Sequence, residues 1–89
     1  MGGPMNDLIE RIEVGEKSNE LDVLIEVALF KPDEDSASCR ANSAGTKVIY
    51  TDHHGREWTH WAPEHTSSPT ITLAALKARA YLKETNNAD

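Results

Sequence analysis

Four histidines, His53, His54, His60 and His65, fall within thirteen residues, with Asp52, Glu57 and Glu64 among them. Imidazole and carboxylate together form a ligand set that zinc and other transition metals accept. The spacing argues against a metal here. None of the intervals matches a ligand motif, and adjacent His53 and His54 diverge to opposite sides of an extended chain. The expectation is no metal and no cofactor, with the histidines as polar turn and surface residues. Ser67 and Ser68 follow His65 closely, as a nucleophile might follow its base. No Gly-x-Ser-x-Gly elbow surrounds them, and Ser68 before Pro69 has the chemistry of a helix N-cap. No catalytic residue is therefore assigned, and the chain reads as a non-enzyme. The single cysteine, Cys39, excludes an internal disulfide and a thiolate-rich zinc site, and reads as a free thiol in a loop.

Trp58 and Trp61 are more informative. Three residues apart on a strand, they point to opposite faces. One can lie under helices while the other reaches an outer face or an edge. An exposed indole on a thin-cored domain marks an interface or a stacking surface. The helix start at 66–70 adds backbone N–H groups that suit an anion. The candidate ligand-binding residues are therefore Trp58, Trp61, Ser67 and Ser68.

These side chains need elements to hold them. Leu8, Ile9 and Ile12 recur at helical spacing behind Asn6, a natural N-cap, and Gly15 ends that helix. Ser18 and Asn19 open a second segment, where Leu21, Leu24, Ile25, Ala28 and Leu29 form a helical stripe. Leu21, Val23, Ile25, Val27 and Leu29 also alternate as a strand would; the cap signals favour helix. Residues 31–46, rich in Ser, Asp, Asn and Gly, read as loop, mobile over 33–46. Lys47–Asp52 and Glu57–Ala62 form a β-hairpin, with Gly55 supplying positive φ. Ser68-Pro69 starts a closing helix whose expected buried face is Ile71, Ala74, Ala75, Ala78 and Leu82. The predicted fold class is α+β: a small antiparallel hairpin sheet covered by N- and C-terminal helices, in the order α-α-β-β-α. Residues 1–4 read as an appendage, 5–84 as one domain and 85–89 as a disordered tail.

The second helix carries more apolar surface than one neighbour can cover. Val23, Val27 and Phe30 lie beyond its main stripe, and Asp22 and Glu26 are taken to face water. Val23, Val27 and Phe30 are thus the candidate interface of a homo-oligomer, most simply a dimer. The chain has 89 residues, 38% of them hydrophobic, and a net charge of −6. Ten acids and three bases fall in residues 1–35, against five acids and six bases in the rest. An acidic surface repels phosphate backbones, so nucleic acid is not an expected partner. Neither a signal sequence nor an apolar run of membrane-spanning length is evident, so a cytoplasmic protein without a membrane partner is expected.

Both ends of the chain resemble the phage ABA-sandwich domain family of small phage and prophage proteins. Leu8-Ile9-Glu10-Arg11-Ile12-Glu13 is similar to that family's opening helix. Ser18-Asn19-Glu20-Leu21-Asp22 with Ile25 resembles its second-helix start. Ser68-Pro69 and the alanine-rich run Thr72 to Ala80 resemble its closing helix. The middle departs: Tyr50-Thr51 runs into Asp52-His53-His54-Gly55 where the family has a Ser-Leu-Asp-Ala-Ala segment. The resemblance implies helices covering a sheet and an origin in a phage or prophage, hence the cytoplasm of a bacterial host. It implies no activity and no catalytic residues. The functional expectation is an accessory binding module. The alternatives are a small-ligand or nucleotide-binding protein, and a metal-dependent hydrolase.

Overall fold

The computed structural model describes residues 4–87, so residues 1–3 of the expected appendage and 88–89 of the expected tail lie outside it. Helix α1 (Pro4–Glu13) begins before Asn6, because proline in a first turn gives up an N–H that has no helical partner anyway. Asn6 is therefore inside the helix and does not cap it. The end comes as expected at Gly15, in a left-handed conformation (φ 91°). Its N–H bonds Ile12 O and the Glu16 N–H bonds Arg11 O, the paired closure of a Schellman motif. Arg11 then grips the Glu16 carboxylate with two hydrogen bonds, and Ser18 Oγ donates to the same carboxylate. This clasp holds Glu16 below its ordinary pKa, chiefly through the Arg11 hydrogen bond.

Helix α2 (Asn19–Leu29) starts on Ser18, whose Oγ accepts the Leu21 N–H at 3.1 Å. Between the two readings of 21–30, the cap signals identified the right one. Three strands follow: β1 (Ser38–Ala41), β2 (Val48–Thr51) and β3 (Glu57–His60), an antiparallel meander in that spatial order. The β2–β3 hairpin is as expected, with Gly55 at φ 86° and Asp52 Oδ1 accepting the N–H groups of His54 and Arg56. Strand β1 corrects the loop reading of 31–46. The Asn42-Ser-Ala-Gly45 segment is a hairpin turn: Asn42 Oδ1 takes the N–H groups of Thr46 and Lys47, and Gly45 has φ 71°. A single 3-10 turn (His65–Ser67) leads into α3 (Pro69–Asn87), which includes residues 85–87 of the segment expected as tail. Ser68 stands just before α3 and its carbonyl accepts the Thr72 N–H.

The core has two parts, one on each side of α2. Leu21 and Ile25 pack with Leu8, Ile9 and Ile12 of α1 and Leu76 of α3. Val23 packs with Val48 and Ala62, with Val27, Cys39, Ala41 and Tyr50 around them. Helix α2 is thus the middle layer, between a helix pair and one face of the sheet. This arrangement supplies a physical reason for the wide apolar arc of α2: the second neighbour is the sheet of the same chain. Val23 is buried there, Val27 is half-buried and Phe30 lies 6.1 Å from the Tyr50 ring, so none of the three stands outward as an intersubunit surface. The sheet's register puts Cys39, Tyr50 and Trp58 in one row and Ala41, Val48 and His60 in the next, all on the face toward α2. The opposite face carries Arg40, which bonds Thr51 and Glu57 across the strands.

Helix α3 also differs from expectation. Thr72 and Leu76 are buried, with Leu73 and Ala80 half-buried beside them. Of the expected core face, Ile71, Ala74, Ala78 and Leu82 are exposed and Ala75 is half-buried. Alanine is neutral to this choice; the buried face follows Leu76, where α1 and α2 converge. No helix among the described residues is long and apolar enough to cross a membrane.

Candidate functional site

The third stripe of α2 is polar. Asp22 and Glu26, one helical turn apart, lie between the two apolar stripes, and the 63–68 segment covers them. Asp22 is only 6% exposed. Its Oδ1 accepts the buried Thr66 N–H at 2.8 Å. Glu26 accepts the Tyr50 hydroxyl proton at 2.5 Å on one oxygen, and His65 Nε2 lies 2.8 Å from the other. With a carboxylate as acceptor, the proton sits on Nε2 of His65. Thr72 Oγ1 donates to the His65 carbonyl and fixes the 3-10 turn on α3. The two acids expected in water are therefore the groups that join α2, β2 and the 63–68 segment.

The electrostatics follow from burial. Burial first, then the hydrogen bond and charge of Glu26, push the Tyr50 phenol far above its ordinary value. Burial first and Glu26 second push the Cys39 thiol up to about 11. Cys39 therefore stays a thiol near neutral pH and is a poor nucleophile. The Glu26–His65 pair has the form of an orienting carboxylate and a base. Among the described residues, no serine, threonine or cysteine side chain hydrogen-bonds to the His65 ring. The arrangement binds α2, β2 and the 63–68 segment together.

Beside this seam runs an open groove of about 390 Å³. Asp22, Ala62 and Thr66 lie among its lining residues, with Lys17, Asn19, Trp61, Glu64 and Ser67. Asn19 is held by its Nδ2, which donates to the Thr46 carbonyl. Trp61 lies just past β3 and is 66% exposed, with Lys47 Nζ 4.7 Å from its ring centre. A lysine over an indole face is a cation–π contact, which steadies the ring without burying it.

Of the four sequence candidates, the structure brings Trp61 and Ser67 together at this groove. Trp58 is on the inner sheet face, half-buried and stacked on Tyr50 at 6.0 Å. Ser68 does not line the groove. The histidines are dispersed: His53 Nε2 lies 2.6 Å from the Asp33 carbonyl, His60 is beside the Tyr50 ring, and His65 meets Glu26. Among the described residues no group of three or more His, Cys, Asp or Glu side chains is placed to hold a metal ion. Sequence reasoning missed Asp22, Glu26, Tyr50, Lys17, Lys47 and Asn19. One signal was present: two acids at i and i+4 on a helix apolar on both flanks mark a stripe that needs internal partners.

Comparison of the chain with protein-family models, with curated proteins and with solved structures returns no match.

Proposed function

We propose that this chain is a non-enzymatic binding module, a small accessory protein of phage or prophage type working in the cytoplasm of a bacterial host. The observation that carries the binding role is Trp61. It is a large indole, mostly in water, steadied by Lys47 at the mouth of a groove with Lys17, Asn19 and Ser67 on its walls. A folded chain that keeps tryptophan out of its core at such a place has the anatomy of an interface hot spot, an aromatic ringed by polar groups. The sequence resemblance at both ends of the chain supports the phage assignment. The structural use of His65 and Glu26, which hold the 63–68 segment and Tyr50 onto α2, is in keeping with the non-enzymatic one.

The test is quantitative capture from bacterial cytoplasmic extract on immobilised chain, with Trp61→Ala alongside. A hot spot contributes about 2 kcal/mol or more, so capture of the target should fall roughly 30-fold or further in the variant. Capture unchanged by Trp61→Ala would overturn the assignment of the groove. Turnover in esterase, phosphatase or nuclease screens, lost in Glu26→Gln or His65→Ala, would overturn the non-enzymatic reading.

A second reading has its own observation. The groove is large enough for a small ring-bearing ligand stacked on the indole face that Lys47 leaves free. Quenching of Trp61 fluorescence by a nucleotide, retained in Trp58→Phe, would favour that reading.

A further inference from the structure

Two side chains that line the groove are more than nine-tenths buried and still hold a polar atom with no internal partner. Asp22, 6% exposed, uses Oδ1 to accept the Thr66 N–H. Its Oδ2 bonds to nothing among the described residues. Thr66, 4% exposed, is in the same position: its N–H is taken, and its Oγ1 has no partner among the described residues. Among those residues no fully enclosed side-chain oxygen lacks a partner, so both atoms open onto the surface. The surface that Asp22 and Thr66 share is the groove. A buried polar atom without an internal donor is an acceptor held ready for an outside one.

The chemistry of the lining selects that donor. Asp22 brings a carboxylate at the buried side of the groove, and exposed Glu64 brings a second. Neither is in an ion pair with a described residue. The lining also holds a cation, Lys17, but that side chain is exposed and its charge is screened by water. An anion entering the groove would meet Asp22 Oδ2 with no proton to offer it. A cation rich in N–H groups satisfies Oδ2 and Thr66 Oγ1 together. Trp61 lines the groove while Lys47, seated over one ring face, does not, so the groove meets the indole away from that lysine. Of the cationic groups proteins carry, guanidinium is the planar one. It forks onto carboxylate oxygens and stacks on aromatic faces, and it sheds water more readily than ammonium.

We infer that the groove receives an arginine side chain of a partner protein. Its guanidinium donates to Asp22 Oδ2 and Thr66 Oγ1 and lies against the Trp61 indole. The inference rests on the reading of the Trp61 groove as a binding surface, and it names what enters there. The groove is open and about 390 Å³, so it admits one side chain while the body that carries it stays outside. A net charge of −6 favours the approach of a basic partner surface.

The test is amide NMR of the full chain titrated with acetyl-arginine methylamide. Parallel titrations use the citrulline analogue, which keeps the shape and loses the charge, and adenosine monophosphate. A ligand this small binds in the millimolar range. Arginine should shift the Thr66 amide and the Trp61 indole N–H saturably. Citrulline should bind about tenfold more weakly or worse, since a charged hydrogen bond becomes a neutral one. The nucleotide should leave both signals in place. Asp22→Asn keeps an oxygen for the Thr66 N–H and removes the charge, so it should fold and lose affinity for arginine to the same extent. The citrulline comparison needs no variant and decides the matter alone if Asp22→Asn is destabilised. Equal binding of arginine and citrulline, arginine binding unchanged in a folded Asp22→Asn, or no shift from arginine would each overturn the inference. Saturable shifts of the same signals by the nucleotide would overturn it as well. In all of these cases, extract capture that still depends on Trp61 leaves the groove reading standing with another occupant. Capture independent of Trp61, with no ligand shifting its indole, would remove both.

Discussion

Helix α2 is the more apolar of the two, and α2 and α3 use their apolar residues in opposite ways. Helix α2 is enclosed on most sides: one stripe packs on α1 and α3, one packs on the sheet, and its two central acids bond inward, while Leu24 is exposed. Helix α3 buries a single stripe centred on Leu76 and leaves another, from Ile71 to Leu82, in water. From sequence the roles look reversed, with surplus surface on α2 and a fully used face on α3. The width of a helix's apolar arc reports how many layers surround it within the fold. It does not report how many chains do.

Substitutions can break this contrast. The largest effect is expected at Leu76→Ala, a cavity where three helices meet, costing about 2–5 kcal/mol. Leu82→Ala, on the other side of the same helix, should cost within about 0.5 kcal/mol. Urea unfolding reads both; equal costs would show that α3 has no bare face. Next comes Tyr50→Phe, which withdraws a hydrogen bond from charged Glu26 and should cost about 1.5–3 kcal/mol at neutral pH. The same residue gives a pH signature. Its phenol titrates higher in the folded state than in the unfolded one. The stabilisation is therefore complete below about pH 10 and declines as pH rises from there toward the folded value. Wild type should lose stability in that alkaline range more steeply than Tyr50→Phe, as thermal melts at stepped pH would register.

Asp22→Ala should cost about 1–3 kcal/mol, because it strands the buried Thr66 N–H. Its α2 neighbour Glu20, exposed and 3.6 Å from Arg11, should cost about 0.5 kcal/mol or less on replacement by alanine. If chemical denaturation finds the two equal, Asp22 is solvated as its residue type suggests. The smallest effect is local. Amide exchange at Arg40 should be slow compared with Ser43 and Ala44, since the Arg40–Ile49 pair is a hydrogen-bonded one and the 43–44 turn has no strand partner. Uniformly fast exchange across 38–46 would remove β1 from the sheet.

Much of the frame was legible because caps and turns are local chemistry. Ser18, Gly15 and Gly55 each act within a few residues of themselves, and each was read correctly. Asn42 and Gly45 carry the same kind of signal, obscured because Ser38 to Ala41 alternates over only four residues and none of them is β-branched. The candidate site was legible in half. Trp61 and Ser67 could be named, but the carboxylates could not be placed. Exposure of Asp22 or Glu26 depends on the 63–68 segment, some forty residues away, returning across α2. No window of sequence contains that information. The face of α3 failed for a related reason: alanine on both sides of a helix leaves its rotation to be set by partners elsewhere in the chain.

Helix α3 also governs the order in which this protein can fold. Helices α1 and α2 are neighbours in sequence, and the three strands follow one another through short turns. Those pieces can form as soon as their residues are available. The α1–α3 contact is different, since Lys77 meets Glu13 across 64 positions. Closing a loop of that length is the slow step of such a topology. Until Leu76 arrives, Leu8, Ile9, Ile12, Leu21 and Ile25 form an open apolar patch on a half-built molecule. A nascent chain on the ribosome is therefore expected to be most prone to aggregation just before α3 emerges. Changes that weaken α3 docking should lower the yield of soluble protein more than they lower the stability of the molecules that do fold.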